Sequence, residues 1–72
     1  MYVDVDLLRS LVIRRREEID RSVAGTGYLA KTVIGVATYL LDNEGNLDLL
    51  TARQRATFDR FLAQLLQDSP RG

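Results

Sequence analysis

Residues 28–43, YLAKTVIGVATYLLDN, form the most apolar long stretch of this 72-residue chain and indicate its fold class. The apolar positions are Leu29, Val33, Val36, Ala37 and Leu40, widened by Ala30, Ile34 and Leu41. They recur every three or four residues, which is the period of an α-helix rather than of a β-strand. Only Lys31, Thr38 and Asp42 form a clearly polar strip. Because a helix that is apolar around most of its circumference is normally buried, we expect this to be the central helix.

A charged amphipathic segment precedes the central helix and is predicted to be helical from Asp4 to about Ala24. Its apolar face consists of Leu8, Leu11, Val12, Ile19 and Val23. Asp4 is the expected N-cap, because it places Val3 and Leu8 at the two positions of a hydrophobic staple. Gly25 is expected to end the helix, since glycine readily takes the left-handed conformation just beyond a helix C-terminus. The alternation in residues 2–5, YVDV, also permits a short strand.

A third helix is predicted from Thr51 to about Gln67, with an apolar stripe formed by Phe58, Phe61, Leu62, Leu65 and Leu66. Thr51 and Gln54 form the Thr-x-x-Gln pattern of a capping box, in which each side chain satisfies an amide at the other position. Residues 43–46, NEGN, tolerate positive φ and separate this helix from the central one. Pro70 disfavours further helix, so residues 69–72 are expected to be a disordered tail.

Together these segments predict an all-α chain, a small three-helix bundle-like domain with helices at about 4–24, 28–43 and 51–67. Residues 1–68 are expected to form one domain, because the chain is too short for two hydrophobic cores. A core of this size rarely supplies more than roughly 3–5 kcal/mol without reinforcement. The sequence contains neither cysteine nor histidine, so disulfides are excluded and a zinc site lacks its preferred ligands. We therefore expect self-association or a protein partner to supplement the core.

Composition argues for a binding role rather than catalysis. Without histidine, the chain lacks the one side chain whose unperturbed pKa lies near neutrality. We accordingly expect no enzymatic activity, no metal, no cofactor and no small-molecule ligand. Ten basic residues balance ten acidic ones, so no overall field attracts nucleic acid or an anionic membrane. No apolar run is long enough to suggest a membrane anchor, which predicts a soluble cytoplasmic protein.

Two stretches come close to ligand-binding motifs. Residues 25–32, GTGYLAKT, differ by one residue from the phosphate-binding pattern G-x-x-x-x-G-K-[ST], because Ala30 replaces the second glycine. That motif follows a buried strand, whereas the residues before Gly25 are charged and helical, so we interpret the stretch as a helix–helix turn. Acidic and amide residues alternate at positions 42–48 as in a calcium loop, but Leu47 and Arg53 occupy the positions that need glycine and glutamate.

Arg15 is the exception in the charged cluster of the first helix. Neighbouring charges are expected to neutralise one another at helical spacing, with Arg14 reaching Glu18 and Arg16 reaching Asp20. Arg15 instead falls in the middle of the apolar stripe, where an unpaired charge is costly. We expect it either to extend over the rim or to pair with a carboxylate of another segment or subunit, which makes it a candidate interface residue.

The exposed face of the third helix is the best candidate for contact with nucleic acid. The residues that share this face and could touch phosphates are Arg53, Thr57, Arg60 and Gln64. A helix-turn-helix unit needs a turn of three or four residues, but the linker here runs from about residue 43 to residue 50. No aromatic residues interleave with the arginines, so base stacking is not predicted either. Nucleic-acid binding is therefore the alternative function.

The side of the second helix away from its apolar stripe carries Tyr28, Thr32, Gly35 and Tyr39. Two tyrosines around a glycine give a flat, partly apolar surface that another backbone can approach closely, and tyrosine is enriched at interfaces. The other possibility is that the first and third helices cover this side. The sequence predicts a small, non-enzymatic protein–protein interaction module that self-associates as a homodimer or binds a protein partner through this surface.

Overall fold

The computed structural model describes residues 1–67 and shows that this part of the chain is all-α. The predicted fold class is therefore confirmed. The predicted tail at 69–72 lies outside the described residues. In chain order the helical segments are α1 (Val5–Ile13), α2 (Arg16–Val23), α3 (Ala30–Asp42), a 3₁₀ turn (Leu47–Leu49), α4 (Ala52–Thr57), a π-helical segment (Phe58–Leu62) and α5 (Ala63–Gln67). The last three of these segments follow one another directly and form one continuous helix.

The first predicted helix is broken, so residues 1–67 form four helices rather than the three we expected. At Arg15 the backbone leaves helical geometry, with φ −115° and ψ 30°, and α2 starts at the next residue. A straight helix over residues 4–24 would be about 30 Å long, whereas the 13 residues of α3 span only about 20 Å. The bend lets both α1 and α2 pack against α3. It thereby buries Leu8 and Leu11 of α1 as well as Ile19 and Val23 of α2.

The break also decides the environment of Arg15. Its side chain is 15% exposed, and its Nε and Nη2 atoms each donate to a Glu18 carboxylate oxygen at 2.8 Å. Nη2 also donates to the Leu65 carbonyl at 3.0 Å. Arg15 therefore does not extend over the rim, and the expected pairing of Glu18 with Arg14 is wrong, because Glu18 binds Arg15 instead. The hydrogen bonds from Arg15 lower the pKa of Glu18, which stays ionised as a structural partner.

Local signals place the other helix ends close to where we predicted them. The Asp4 side chain accepts hydrogen bonds from the amides of Asp6 and Leu7, as an N-cap does. Helix α3 starts two residues later than predicted, because Leu29 is still extended (φ −98°, ψ 142°). The capping box is confirmed: Thr51 Oγ1 accepts from the Gln54 amide at 3.2 Å, and the Thr51 amide donates to Gln54 Oε1 at 2.9 Å.

The turn after α3 joins the start of the chain to its middle. Glu44 and Gly45 both have positive φ, 58° and 79°, as the turn composition predicts. The Val3 amide donates to the Gly45 carbonyl at 3.0 Å. Tyr2 and Asn46 form an isolated antiparallel bridge. The alternating residues 2–5 thus make one bridge and then enter α1, rather than forming a strand.

The core lies around α3, as we expected of the central helix. It consists of Leu8, Leu11, Ile19, Val23, Val33, Val36, Ala37, Leu40, Leu47, Phe58, Phe61 and Leu62. In the π-helical segment the Ala63 amide reaches back to the Phe58 carbonyl, and this wider turn accompanies burial of both Phe58 and Leu62. None of the helices formed by residues 1–67 is both long enough and apolar enough to cross a lipid bilayer.

Candidate protein-interaction surface

One side of α3 faces solvent along its whole length. Its exposed positions recur every three or four residues and are Lys31, Thr32, Gly35, Thr38, Tyr39 and Asp42, here called the Gly35 face. The buried residues of α3 lie on the opposite side. Within residues 1–67 this side is therefore covered only in part, by α4 beside Gly35 and by the Leu49 carbonyl at Tyr39.

An open groove of about 610 Å³ runs beside the Gly35 face, between α3 and α4. Tyr28, Thr32, Gly35 and Val36 line one wall, and Arg53, Gln54 and Thr57 line the other. A Cβ atom added at Gly35 would meet no atom within 4 Å, so the backbone itself is accessible there. The groove brings together three of the predicted interface residues and two residues of the predicted nucleic-acid face, Arg53 and Thr57. Thr57 is not on the exposed face as we expected: it is buried, and its hydroxyl donates to the Arg53 carbonyl at 3.1 Å.

Tyr28 is the aromatic residue in the lining of this groove. Its ring packs edge-on against that of Phe61, with 4.9 Å between the ring centres. The guanidinium carbon of Arg60 lies 5.1 Å from the Tyr28 ring centre and 5.3 Å from that of Phe61. No aromatic residue interleaves with the arginines along the exposed face of the third helix, but the fold brings Tyr28 of another segment beside Arg60. Tyr28 and Arg60 are 32 residues apart in the sequence, so helical spacing within one segment could not reveal this contact.

The remaining predicted site residues do not line the groove. Tyr39 lies on the Gly35 face, 39% exposed, and its hydroxyl donates to the Leu49 carbonyl at 3.4 Å. Gln64 is exposed beyond Arg60. Arg15 uses its hydrogen-bonding atoms on Glu18 and Leu65 within the chain, so we no longer count it as part of the candidate surface.

The two near-matches to ligand motifs have structural roles. Residues 25–32 follow helix α2 instead of a strand, and the Thr26 hydroxyl donates to the Val23 carbonyl at 2.6 Å while accepting from the Tyr28 amide at 3.1 Å. In the calcium-like stretch, Asn46 Oδ1 accepts from the Asp48 amide at 3.0 Å and caps the 3₁₀ turn. Across residues 1–67, no three carboxylate, histidine or cysteine side chains come together as a metal site.

Comparison with known proteins finds no matching family model, and no curated protein or solved structure with significant similarity to this chain. Its function is therefore inferred from the chemistry of the groove and the Gly35 face.

Proposed function

We propose that this chain is a non-enzymatic protein–protein interaction module that self-associates as a homodimer through the Gly35 face and the adjoining groove. The observation that carries the proposal is the exposed backbone at Gly35 between two partly exposed tyrosines. Tyr28 and Tyr39 are each 39% exposed, and Leu29 is 59% exposed at the start of α3. Tyrosine supplies a large apolar area with one polar tip, and glycine allows another backbone to approach closely.

The small size of the core supports a second copy as the partner. A chain of 72 residues without cysteine gains no stability from disulfides. Chains of this size that lack disulfides can instead be stabilised by association, which buries further apolar surface. A two-fold axis would place the same surface of both copies in contact, so every favourable contact would occur twice.

The variant that tests this proposal is Gly35→Arg. We expect the wild-type protein to sediment as a dimer at high concentration and the variant to remain monomeric, because a long charged side chain would occupy the space where the two backbones meet. The variant should still fold: the Cβ position is open in the monomer, and arginine favours a helix more than glycine does.

The matched control is Ile13→Arg, which adds the same single positive charge at a 70% exposed position of α1 outside the proposed surface. Sedimentation velocity over a concentration series reports the oligomeric state, and circular dichroism confirms the helical fold. We expect the control to dimerise like the wild type. A wild-type chain that stays monomeric throughout the series would disprove self-association, and a Gly35→Arg dimer as strong as the wild type would exclude this surface.

A second candidate function is nucleic-acid binding. The observation in its favour is that Arg60 lies above the ring of Tyr28, which lines the same groove as Arg53. Proteins that bind single strands combine cationic grooves with aromatic rings. Such binding would weaken steeply as salt rises, and Arg53→Gln together with Arg60→Gln would flatten this dependence. Because the net charge of the chain is zero, we expect no retention on single-stranded DNA or RNA at physiological salt. Tight, salt-sensitive retention would reverse the order of the two proposals.

A further inference from the structure

We infer that the two copies pair their α3 helices in antiparallel orientation, with Lys31 of each copy forming an ion pair with Asp42 of the partner subunit. This inference rests on the proposed self-association and adds the orientation, the register and the residues that specify it. Three properties of the Gly35 face support it: the spacing of its charges, their placement relative to the helix dipole, and the position of Gly35 between them.

The two charged residues of the Gly35 face lie on the same side of α3. They are 11 residues apart, which corresponds to three helical turns and about 16 Å along the axis. Both are exposed. Within residues 1–67 neither side chain forms an ion pair, although four other pairs occur there. Lys31 and Asp42 are thus accessible to charges on another molecule.

The placement of these charges is unfavourable within an isolated α3. Lys31 lies in the first turn, where the helix dipole favours a negative charge, and Asp42 is the last helical residue, where it favours a positive one. An antiparallel neighbour reverses both situations. It brings a carboxylate to the first turn of each helix and an ammonium group to the last turn. A parallel neighbour would instead place lysine beside lysine and aspartate beside aspartate.

The register that pairs the charges also places the two glycines near the centre of contact. The midpoint between residues 31 and 42 lies about 2 Å along the axis from Gly35. With the two-fold axis at this midpoint, the two Gly35 residues are less than one helical turn apart. Thr38 of one copy then lies opposite Gly35 of the partner subunit. The exposed backbone and the complementary charges therefore indicate the same arrangement.

Charge reversal tests the orientation separately from the self-association. In the antiparallel pair, Lys31→Glu or Asp42→Lys alone converts two attractions into two repulsions. We expect each variant to raise the dimer dissociation constant about tenfold at low salt, given the modest strength of exposed ion pairs. The double variant restores both attractions and should return to within about twofold of the wild type. Neither single change should reduce the helix content, because each one improves the match to the dipole.

Mixing the two single variants provides a second measurement. The Lys31→Glu variant has acidic residues at positions 31 and 42, and the Asp42→Lys variant has basic residues at both. One copy of each should therefore form a heterodimer with a dissociation constant close to that of the wild type. Asp20→Lys, exposed on α2, is the control for the change in net charge and should dimerise like the wild type.

Sedimentation equilibrium measures all these constants. Rescue by the double variant and by mixing would support the arrangement. A dimer that Gly35→Arg dissociates but that the single reversals leave unchanged would overturn the antiparallel register while preserving the proposed function. Persistent weakening in the double variant would also overturn the register. A monomeric wild type would remove both proposals.

Discussion

Truncation of Leu40 to alanine is expected to lower the free energy of unfolding by about 2–5 kcal/mol. Leu40 is 0% exposed and lies on α3, the helix against which α1, α2, α4 and the π-helical segment pack. Removing its side chain loses the transfer free energy of the buried atoms and leaves a cavity that these helices can only partly close. Because a core this small supplies roughly 3–5 kcal/mol, the substitution should remove most of the stability and move the urea midpoint of the variant to a much lower concentration.

Urea unfolding followed by circular dichroism measures this effect, with wild type and variant at one fixed concentration because dimerisation contributes to stability. The matched control is Leu7→Ala, which makes the same truncation in α1 at a side chain that is 37% exposed. We expect Leu7→Ala to lower the free energy of unfolding by less than half as much as Leu40→Ala, because less apolar area is buried at Leu7 and alanine favours the helix. Equal losses from the two truncations would show that Leu40 is not at the centre of the core.

Substitution of Gly45 by alanine is expected to be the second large perturbation. Gly45 has φ 79°, a conformation that costs a residue with a side chain about 1–2 kcal/mol. Its new Cβ would also lie 2.8 Å from the Val3 carbonyl oxygen and 3.2 Å from a methyl carbon of Val5. Relieving this overlap requires the chain before α1 to move, which adds about 1–3 kcal/mol and disturbs the bond from the Val3 amide to the Gly45 carbonyl.

Gly25→Ala is the control that separates backbone strain from overlap. Gly25 has a similar φ of 76°, but no atom lies within 4 Å of its Cβ position. We expect Gly25→Ala to lose only the free energy of backbone strain, whereas Gly45→Ala should lose that free energy and the additional cost of the overlap. The urea midpoints of the two variants measure this difference. A Gly45→Ala loss no larger than that of Gly25→Ala would mean that residues 3–5 adjust without penalty.

Features that depend on neighbouring residues could be predicted from the sequence. The Asp4 cap, the Thr51–Gln54 capping box and the positive φ at Gly45 each follow from side chains within four residues of the backbone that they affect. The apolar spacing of residues 28–43 likewise determined that α3 is helical and central, because burial of that stripe requires helices around it. The same spacing placed Gly35 on the side away from the stripe, but only the structure decided that this side is exposed.

The tertiary structure alone decided which separate segments meet. Leu8, Leu11, Ile19 and Val23 stay on one side of a continuous helix, so their spacing contains no sign of the break at Arg15. The break arises because α3 is too short for a straight partner to bury both ends, and it directs Arg15 toward Glu18 and the Leu65 carbonyl. The contact of Arg60 with Tyr28 depends in the same way on packing between segments distant in sequence. Periodicity determines which side of a helix is buried, whereas the lengths of the packed helices determine which side chains come together.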